Sequence, residues 1–350
     1  MSYICSQTER YYEYLSRNFK IPAMPYHNLI SVIVCTYNQQ NTIGRTLDSI
    51  LMQKCRLSLE VVIGDDGSTD GTRAICSKYQ ELHPDIVRLM PPAPNKGFVR
   101  NYFDCLRACR GKYIADCSGD DFWIDETKLE ASAYILDTNP HVGIVHTDWQ
   151  KYNEQTKKLI SPGKPTINDQ TLLIDILSPG QRPAIHLCTA LYRNEWIRRA
   201  MQEYPQFFDP ETYHCEDVQI CFFLARMGDV AYIDRPTLAY SWGGESLSNP
   251  QNEEKQFHFW ANVTHLSFDL SQFFHITSPR FDCFLQARIH KLLMHAFRSG
   301  KPELRTKALN MQKEMHIADN QHILFAKLLT MPGIWPVMRR IRDLIRVHPH

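Results

Sequence analysis

Two adjacent carboxylates, Asp120 and Asp121, lie in the stretch YIADCSGDDFW at Tyr113–Trp123 of this 350-residue chain. Tyr113-Ile114-Ala115 reads as a buried strand, and Ser118-Gly119-Asp120-Asp121 as the polar turn into which it runs out. Hard divalent cations take oxygen ligands, and Mg²⁺ is commonly held by one or two carboxylates together with substrate phosphates. Side chains of adjacent residues diverge, so one carboxylate is expected to face a ligand and the other to orient the loop. The competing reading is an acidic turn ahead of a helix, because Asp125 and Glu126 also suit a first helical turn.

A second acidic cluster is Asp65-Asp66-Gly67-Ser68-Thr69-Asp70. It is not the Asp-x-Asp of an aspartyl phosphatase, since Gly67 stands two residues after Asp65. A calcium loop opening at Asp65 would need glutamate at its twelfth position, which is Cys76. The dinucleotide fingerprint GxGxxG and the P-loop GxxxxGK[ST] are both absent. What remains is a strand-end carboxylate able to accept a hydrogen bond from a base N–H, then a glycine turn and a helix. Ser68, Thr69 or Asp70 could equally cap that helix.

The elements that must position these residues alternate. Leu29–Cys35 is a near-continuous apolar run, as a strand covered on both faces requires, and it breaks at Thr36-Tyr37-Asn38. Ile43, Leu47, Ile50 and Leu51 recur at helical spacing. Leu59–Gly64 is a second buried strand, followed by a helix to about Leu82. A short strand at Ile86–Met90, a proline-rich turn, Asn95-Lys96-Gly97 and a helix at Phe98–Cys109 lead to the Tyr113 strand. This alternation predicts a parallel sheet whose ligands bind at the carboxyl ends of its strands. The three polar clusters would then meet along one edge. Further on, a helix is expected over Asp125–Asp137, strands at Val142–His146, Ala184–Tyr192 and Val230–Tyr240, and a polar hairpin over residues 149–165. An apolar helix at Val218–Met227 follows Glu216-Asp217, and the chain reads as helical from Gln251.

Composition narrows the function classes. A formal net charge of +1 leaves no whole-chain footprint for nucleic acid. Eleven cysteines without a CxxC pair fit small hydrophobes in a reducing compartment rather than a zinc site. Residues 1–20 lack the apolar core of a signal peptide, and no run of about 18 apolar residues occurs. These features predict a cytoplasmic protein in which the sequon at Asn262 is without meaning.

Four pieces in order, SVIVCTYN (Ser31–Asn38), VIGDDGSTD (Val62–Asp70), NKGFVRN (Asn95–Asn101) with GKYI (Gly111–Ile114), and GDD (Gly119–Asp121), resemble the family 2 inverting glycosyltransferases. They cover roughly residues 29–125, and Glu216-Asp217 matches the family's later acidic motif. The resemblance implies an α/β fold: a Rossmann-like, mostly parallel sheet flanked by helices (the A-type glycosyltransferase fold), with a helical C-terminal region. It implies an N-terminal extension over residues 1–28 and a transferase domain over 29–250. Residues 29–125 of that domain would bind nucleotide sugar and 126–250 the acceptor, with a helical region over 251–350. Thr36, Tyr37, Asn38 and Asp66 would contact the nucleotide, Tyr37 against the base and Asp66 on its N3–H. Lys96 and Arg100 would approach nucleotide or diphosphate, Asp120 the ribose, Asp121 would ligate Mn²⁺ or Mg²⁺, and Asp217 would be the catalytic base.

The chemistry agrees with those roles. Displacing a nucleoside diphosphate leaves negative charge on the departing phosphate, which a cation stabilises. The incoming hydroxyl must lose a proton to a positioned base. Asp217 also suits a helix N-cap, the competing reading for that residue. The chain lacks the Gln-x-x-Arg-Trp motif and membrane spans of the family's processive synthases, which predicts single-sugar transfer. Tyr240–Ser246 also lacks the histidine many relatives carry there, so a metal site would be completed by solvent, by Glu245, or not at all. The expected activity is a hexosyl- or N-acetylhexosaminyl-transferase using a UDP-sugar, with a glycan or lipid-linked saccharide as acceptor in surface-polysaccharide assembly. A catalytically silent nucleotide- or glycan-binding subunit is the alternative. The arginines of the last helix, Arg339, Arg340, Arg342 and Arg346, suit either solvent or an anionic membrane surface. His186 and His214 are secondary candidates, and Trp242 suits either an acceptor site or the core.

Overall fold

The computed structural model describes residues 29–164, 170–180, 182–242, 252–338 and 340. The chain divides into two compact units, Met1–Pro210 with Glu216–Gly244 and Glu211–Cys215 with Glu245–His350. The proposed N-terminal extension, most of the last arginine-bearing helix, and Glu245 lie outside the described residues.

The first unit is a nine-stranded sheet with helices. Its first half is β1 (Leu29–Thr36), α1 (Ile43–Leu51), β2 (Ser58–Asp65), α2 (Thr72–Leu82), β3 (Val87–Leu89), α3 (Phe98–Ala108) and β4 (Tyr113–Asp116). β1 pairs in parallel with β2 and β4, and β2 with β3. Every residue of β1 after Leu29 is buried, as its apolar run predicts. The second half holds β5 (Phe122–Trp123), α4 (Lys128–Thr138), β6 (Val142–Asn153), β7 (Leu159–Ile160) and α5 (Leu172–Leu177). It continues with β8 (Leu191–Arg193), α6 (Asn194–Glu203), α7 (Asp217–Met227) and β9 (Asp229–Trp242). Strand order is β3-β2-β1-β4-β8-β6-β9-β5, with β7 on β6.

The parallel pairing expected of most of the sheet is interrupted after β4 and resumes between β6 and β9, which pair in parallel from Val142 to Asn153. β8 lies antiparallel between β4 and β6, and β5 pairs antiparallel with β9, so the sheet is mixed. Residues 184–192, expected as a strand, form a 3₁₀ turn at Leu187–Thr189 and the three-residue β8. Their apolar character serves burial instead: the Trp123 indole N–H donates to Cys188 O at 3.2 Å. The helix expected from Asp125 starts at Lys128, because Asp125 accepts from the Thr127 N–H at 2.8 Å ahead of it.

The second unit is helical, with α8 (Glu253–Phe273), α9 (Pro279–Ser299), α10 (Pro302–Glu314) and α11 (Gln321–Leu329). Asn252 caps α8 by accepting from the Glu254 and Lys255 N–H groups. Ser278 and Pro279 open α9, and left-handed Gly300 closes it. Phe257, Ile289, Leu292, Ala296, Ala308 and Ile323 form a core of this unit's own. Among the described residues no helix is long and apolar enough to cross a membrane.

Candidate active site

The carboxyl ends of β1, β2 and β4 are tied to one another by hydrogen bonds. Asn38, in a left-handed conformation (φ 52°), takes the Thr69 N–H on its side-chain oxygen at 2.8 Å and donates its own N–H to Ser68 Oγ at 2.9 Å. Asn38 therefore braces two loops while remaining exposed. Gln39 N–H donates to Thr72 Oγ1 at 2.7 Å, and Asp66 N–H to Thr36 O at 3.0 Å. Asp70 accepts from the Thr72 N–H at 2.9 Å, which gives it the capping part that Ser68, Thr69 and Asp70 shared in the sequence. Gly119 N–H donates to Cys35 O at 3.1 Å, which seats the GDD turn on the end of β1.

Asp66 is buried, and its two oxygens accept the backbone N–H groups of Lys96 (2.9 Å) and Gly97 (3.1 Å). The NKG segment thus fixes that carboxylate, and each oxygen keeps a lone pair for another donor. Gly67 has φ 72°, and a side chain there would meet Asn95 N at 2.7 Å, so the turn needs glycine. Tyr37 stands 46% exposed beside this cluster. Lys96 Nζ pairs with Asp104 at 2.6 Å, so the backbone of Lys96, more than its ammonium, serves the Asp66 pocket. Arg100 is exposed on the first turn of α3.

The Asp120-Asp121 turn is clamped by residues that sequence analysis missed. Arg45 Nη2 donates to Asp120 O at 3.0 Å and to Glu154 at 2.6 Å, and its guanidinium lies 4.2 Å from the Phe122 ring centroid. Thr46 Oγ1 donates to Asp121 O at 2.6 Å. Ser241 donates its N–H to Asp121 Oδ1 at 2.9 Å and its hydroxyl to Asp120 O at 2.5 Å. Burial pushes the Asp121 carboxyl well above its ordinary range, and the Asp120 charge adds to this. Burial raises Asp120 as well, with Glu154 adding and Arg45 opposing. Burial also works against the charge on Glu154, yet hydrogen bonds from Arg45 and Lys157 bring its pKa down to about 2.

Among the described residues no group of three or more His, Cys, Asp or Glu side chains is arranged to hold a metal ion. The donor set still fits a hard cation that keeps water and takes phosphate oxygens, since two crowded carboxylates are what such an ion needs from the protein. A divalent charge would offset the burial and the neighbouring negative charge that raise both.

Asp217 opens α7 and accepts the Val218 N–H on its own carboxylate at 2.8 Å. Glu216, the more enclosed of the two, is pushed well above the carboxylate range by burial, then by the Asp217 charge. Asp217 keeps an open face to solvent, and the surrounding protein raises it in the same direction. The Glu216 charge acts on Cys35 near the end of β1 and is itself raised by Asp116 at the end of β4. Glu216 thus lies within electrostatic reach of the ends of β1 and β4.

Asp116 was a second omission. Its Oδ1 accepts from Tyr102 Oη at 2.7 Å, Tyr102 Oη lies 2.9 Å from Tyr192 Oη, and its buried Oδ2 has no partner among the described residues. Burial raises its pKa to about 7, against the lowering effect of the tyrosine hydroxyls. The available signal was a carboxylate ending the apolar run Tyr113-Ile114-Ala115. His186 packs between Trp149 and Tyr240 at 5.2 and 5.3 Å, and burial lowers its pKa to about 4, which suits a neutral packing residue. His214 meets its own unit through the backbone, donating its N–H to Asn262 Oδ1 at 2.6 Å. Trp242 ends β9 half exposed.

Comparison with known proteins extends this picture. Residues 31–200 match the model of the glycosyl transferase family 2. An uncharacterised protein of Mycobacterium tuberculosis is 35% identical over 132 residues, 36% of this chain and 38% of that protein. The chain thus spans well under half the length of this curated relative. Staphylococcus aureus TarS, as a fragment of residues 1–349 in complex with UDP-GlcNAc, has a similar structure with a TM-score of 0.55 at 18% identity, covering 90% of this chain and 87% of that one. A mannosyltransferase of Pyrobaculum calidifontis in complex with GDP-mannose and Mn²⁺ gives a TM-score of 0.51 at 18% identity, over 98% and 94%. These two likenesses show the fold.

Proposed function

We propose that this chain, which belongs to the glycosyl transferase family 2 through residues 31–200, moves one sugar from a nucleotide sugar to a hydroxyl of a glycan or lipid-linked saccharide with inversion at the sugar carbon. The observation that carries this reading is the convergence of Thr36, Asp66 and the Asp120-Asp121 turn on one sheet edge, tied together by hydrogen bonds between the strand ends. Two proteins of the same fold hold nucleotide sugars, which supports the donor class. A uracil base suits the pocket best: its ring would lie on Tyr37, and its N3–H would be accepted by the Asp66 carboxylate that Lys96 and Gly97 hold in place.

Asp121, with Asp120 beside it, would hold Mn²⁺ or Mg²⁺, which when bound supplies Lewis-acid stabilisation for charge on the leaving diphosphate. Arg45, Thr46 and Ser241 keep the turn that carries both carboxylates in place. Asp217 takes the proton of the acceptor hydroxyl as the new bond from its oxygen to the sugar carbon forms and the bond from that carbon to the diphosphate oxygen breaks. An upward-shifted carboxylate is a better base than a free one near neutrality. The place of such a transfer is cell-surface polysaccharide assembly.

The test is calorimetric titration of UDP with and without Mn²⁺, paired with a turnover assay on Asp217→Asn. The substitution is expected to lower turnover at least about 10²-fold, the usual range for a lost general base, with UDP affinity changed less than threefold. A mutant that turns over normally removes Asp217 from the chemistry. Tight UDP binding by a wild type that transfers no sugar to any acceptor would identify a silent binding subunit instead.

A further inference from the structure

α11 is apolar on both sides. Ile323, Ala326 and Leu329 are buried against the helical core of their unit, while Leu324, Phe325 and Leu328 stand 55%, 57% and 49% exposed on the opposite side. Met331 and Val337, in the segment that follows, are also exposed at 47% and 57%. An amphipathic surface helix carries polar residues on its outer side, and one apolar all round is expected to be covered. Five of the twelve exposed large hydrophobic side chains among the described residues thus fall within residues 324–337. The strip is held in a fixed shape. Thr330 Oγ1 accepts from Arg305 Nε at 3.1 Å, and buried Trp335 donates its indole N–H to Phe297 O at 3.3 Å, packed with Leu329.

The charge beside the strip identifies what covers it. Residues 319–350 contain Lys327, Arg339, Arg340, Arg342 and Arg346 against Asp319 and Asp343, a local excess of positive charge in a chain whose formal net is only +1. Arg340 is exposed, and Lys327 is paired with Asp319 at 2.6 Å. Large apolar side chains beside an excess of cations are the composition of an element that lies in the headgroup layer of an anionic bilayer. A second protein of basic surface would meet the same cations unfavourably.

We infer that the exposed side of α11 and the turn after it, Leu324, Phe325, Leu328, Met331 and Val337 with Arg340 beside them, dock the protein on an anionic lipid surface. The inference stands on this unit alone and does not require the transferase reading. Insertion of the apolar strip supplies the lipid contact, and the cations supply the preference for negative headgroups. Binding should therefore weaken as salt rises.

The test is sedimentation of the full chain with vesicles of phosphatidylcholine alone and with about a third phosphatidylglycerol, comparing wild type with the double variant Phe325→Ser/Leu328→Ser and with Arg340→Glu. Both sites are exposed, so the thermal unfolding midpoint is expected to be unchanged, which keeps loss of fold apart from loss of docking. The expected result is binding at least tenfold stronger to the anionic vesicles, reduced at least tenfold by the double variant and several-fold by Arg340→Glu. Equal binding to both vesicle types, or wild-type binding by the double variant, overturns it. So does a dimer on gel filtration that the double variant converts to monomer, since a second copy would then be the cover.

Discussion

Asp116 shows how much of this site depends on single residues with distant partners. Its pKa is raised to about 7 because its carboxylate is buried and the two tyrosine hydroxyls only partly offset that. A carboxyl raised in the folded state holds a proton that the unfolded chain releases near its ordinary value of about 3.9. The stability it contributes is complete below that value and is lost as pH rises towards about 7. In that window the folded chain carries one more proton than the unfolded chain, so stability falls by about 1.4 kcal/mol per pH unit from this group. Asp116→Asn should remove that slope, leaving urea-unfolding stability less dependent on pH between 4.5 and 6.5 (about 1 kcal/mol per unit flatter). Identical slopes in the two proteins would show that Asp116 is ionised throughout. The same residue marks where sequence analysis stops. Asp66, Asp121 and Asp217 stand out because each sits at a strand or helix end among turn residues. Arg45, Glu154 and Ser241 do not, because they meet across separations of 87 to 196 residues that no local pattern encodes.

At the scale of elements, the strand and helix alternation of residues 29–116 is legible because β1 and the Val61–Gly64 stretch of β2 are near-continuous apolar runs and α1 keeps a period near 3.6. The pairing of the later strands is not, because β5 and β8 are two and three residues long and take their direction from β9 and β4. The GDD turn depends on how closely two such elements approach. A Cβ on Gly119 would lie 2.4 Å from Gln39 Oε1 and 2.9 Å from Thr36 Cβ. Gln39 could swing aside, but Thr36 is at the end of β1 and cannot. Gly119→Ala should therefore lift the turn off β1, moving Asp120 and Asp121 while the sheet beneath survives. The expected outcome is at least a tenfold loss of UDP affinity in the presence of Mn²⁺, consistent with about 1.4 kcal/mol or more, with far-UV circular dichroism unchanged. Wild-type affinity in this variant would mean that the turn does not set the donor site.

At the scale of the whole molecule, the two units carry separate hydrophobic cores. One is gathered around Ile30, Val61, Tyr113 and Trp123, the other around Phe257, Ile289, Leu292 and Ile323. The helical composition of the chain after residue 251 was visible in its sequence, but residues 211–215, which belong to the same unit, were not assigned to it. They join it through Tyr213, whose hydroxyl donates to Asp269 at 2.6 Å, and through the Asn262 amide, which donates to Thr212 O at 2.9 Å. Such a segment is placed by side chains some 50 residues later, beyond the reach of periodicity. Separate cores make separate unfolding transitions the expectation, because the cooperative unit of melting is a packed core rather than a chain. Leu292 is fully buried in the second core, and Leu292→Ala should cost that unit about 2–5 kcal/mol. In differential scanning calorimetry one transition should then fall by roughly 8 °C or more, while the other, and UDP binding with it, stay where they are. Leu47→Ala, fully buried in the first core, should do the reverse. If either substitution moves a single transition and abolishes binding, the helical unit and the sheet fold as one body, and the donor site depends on both.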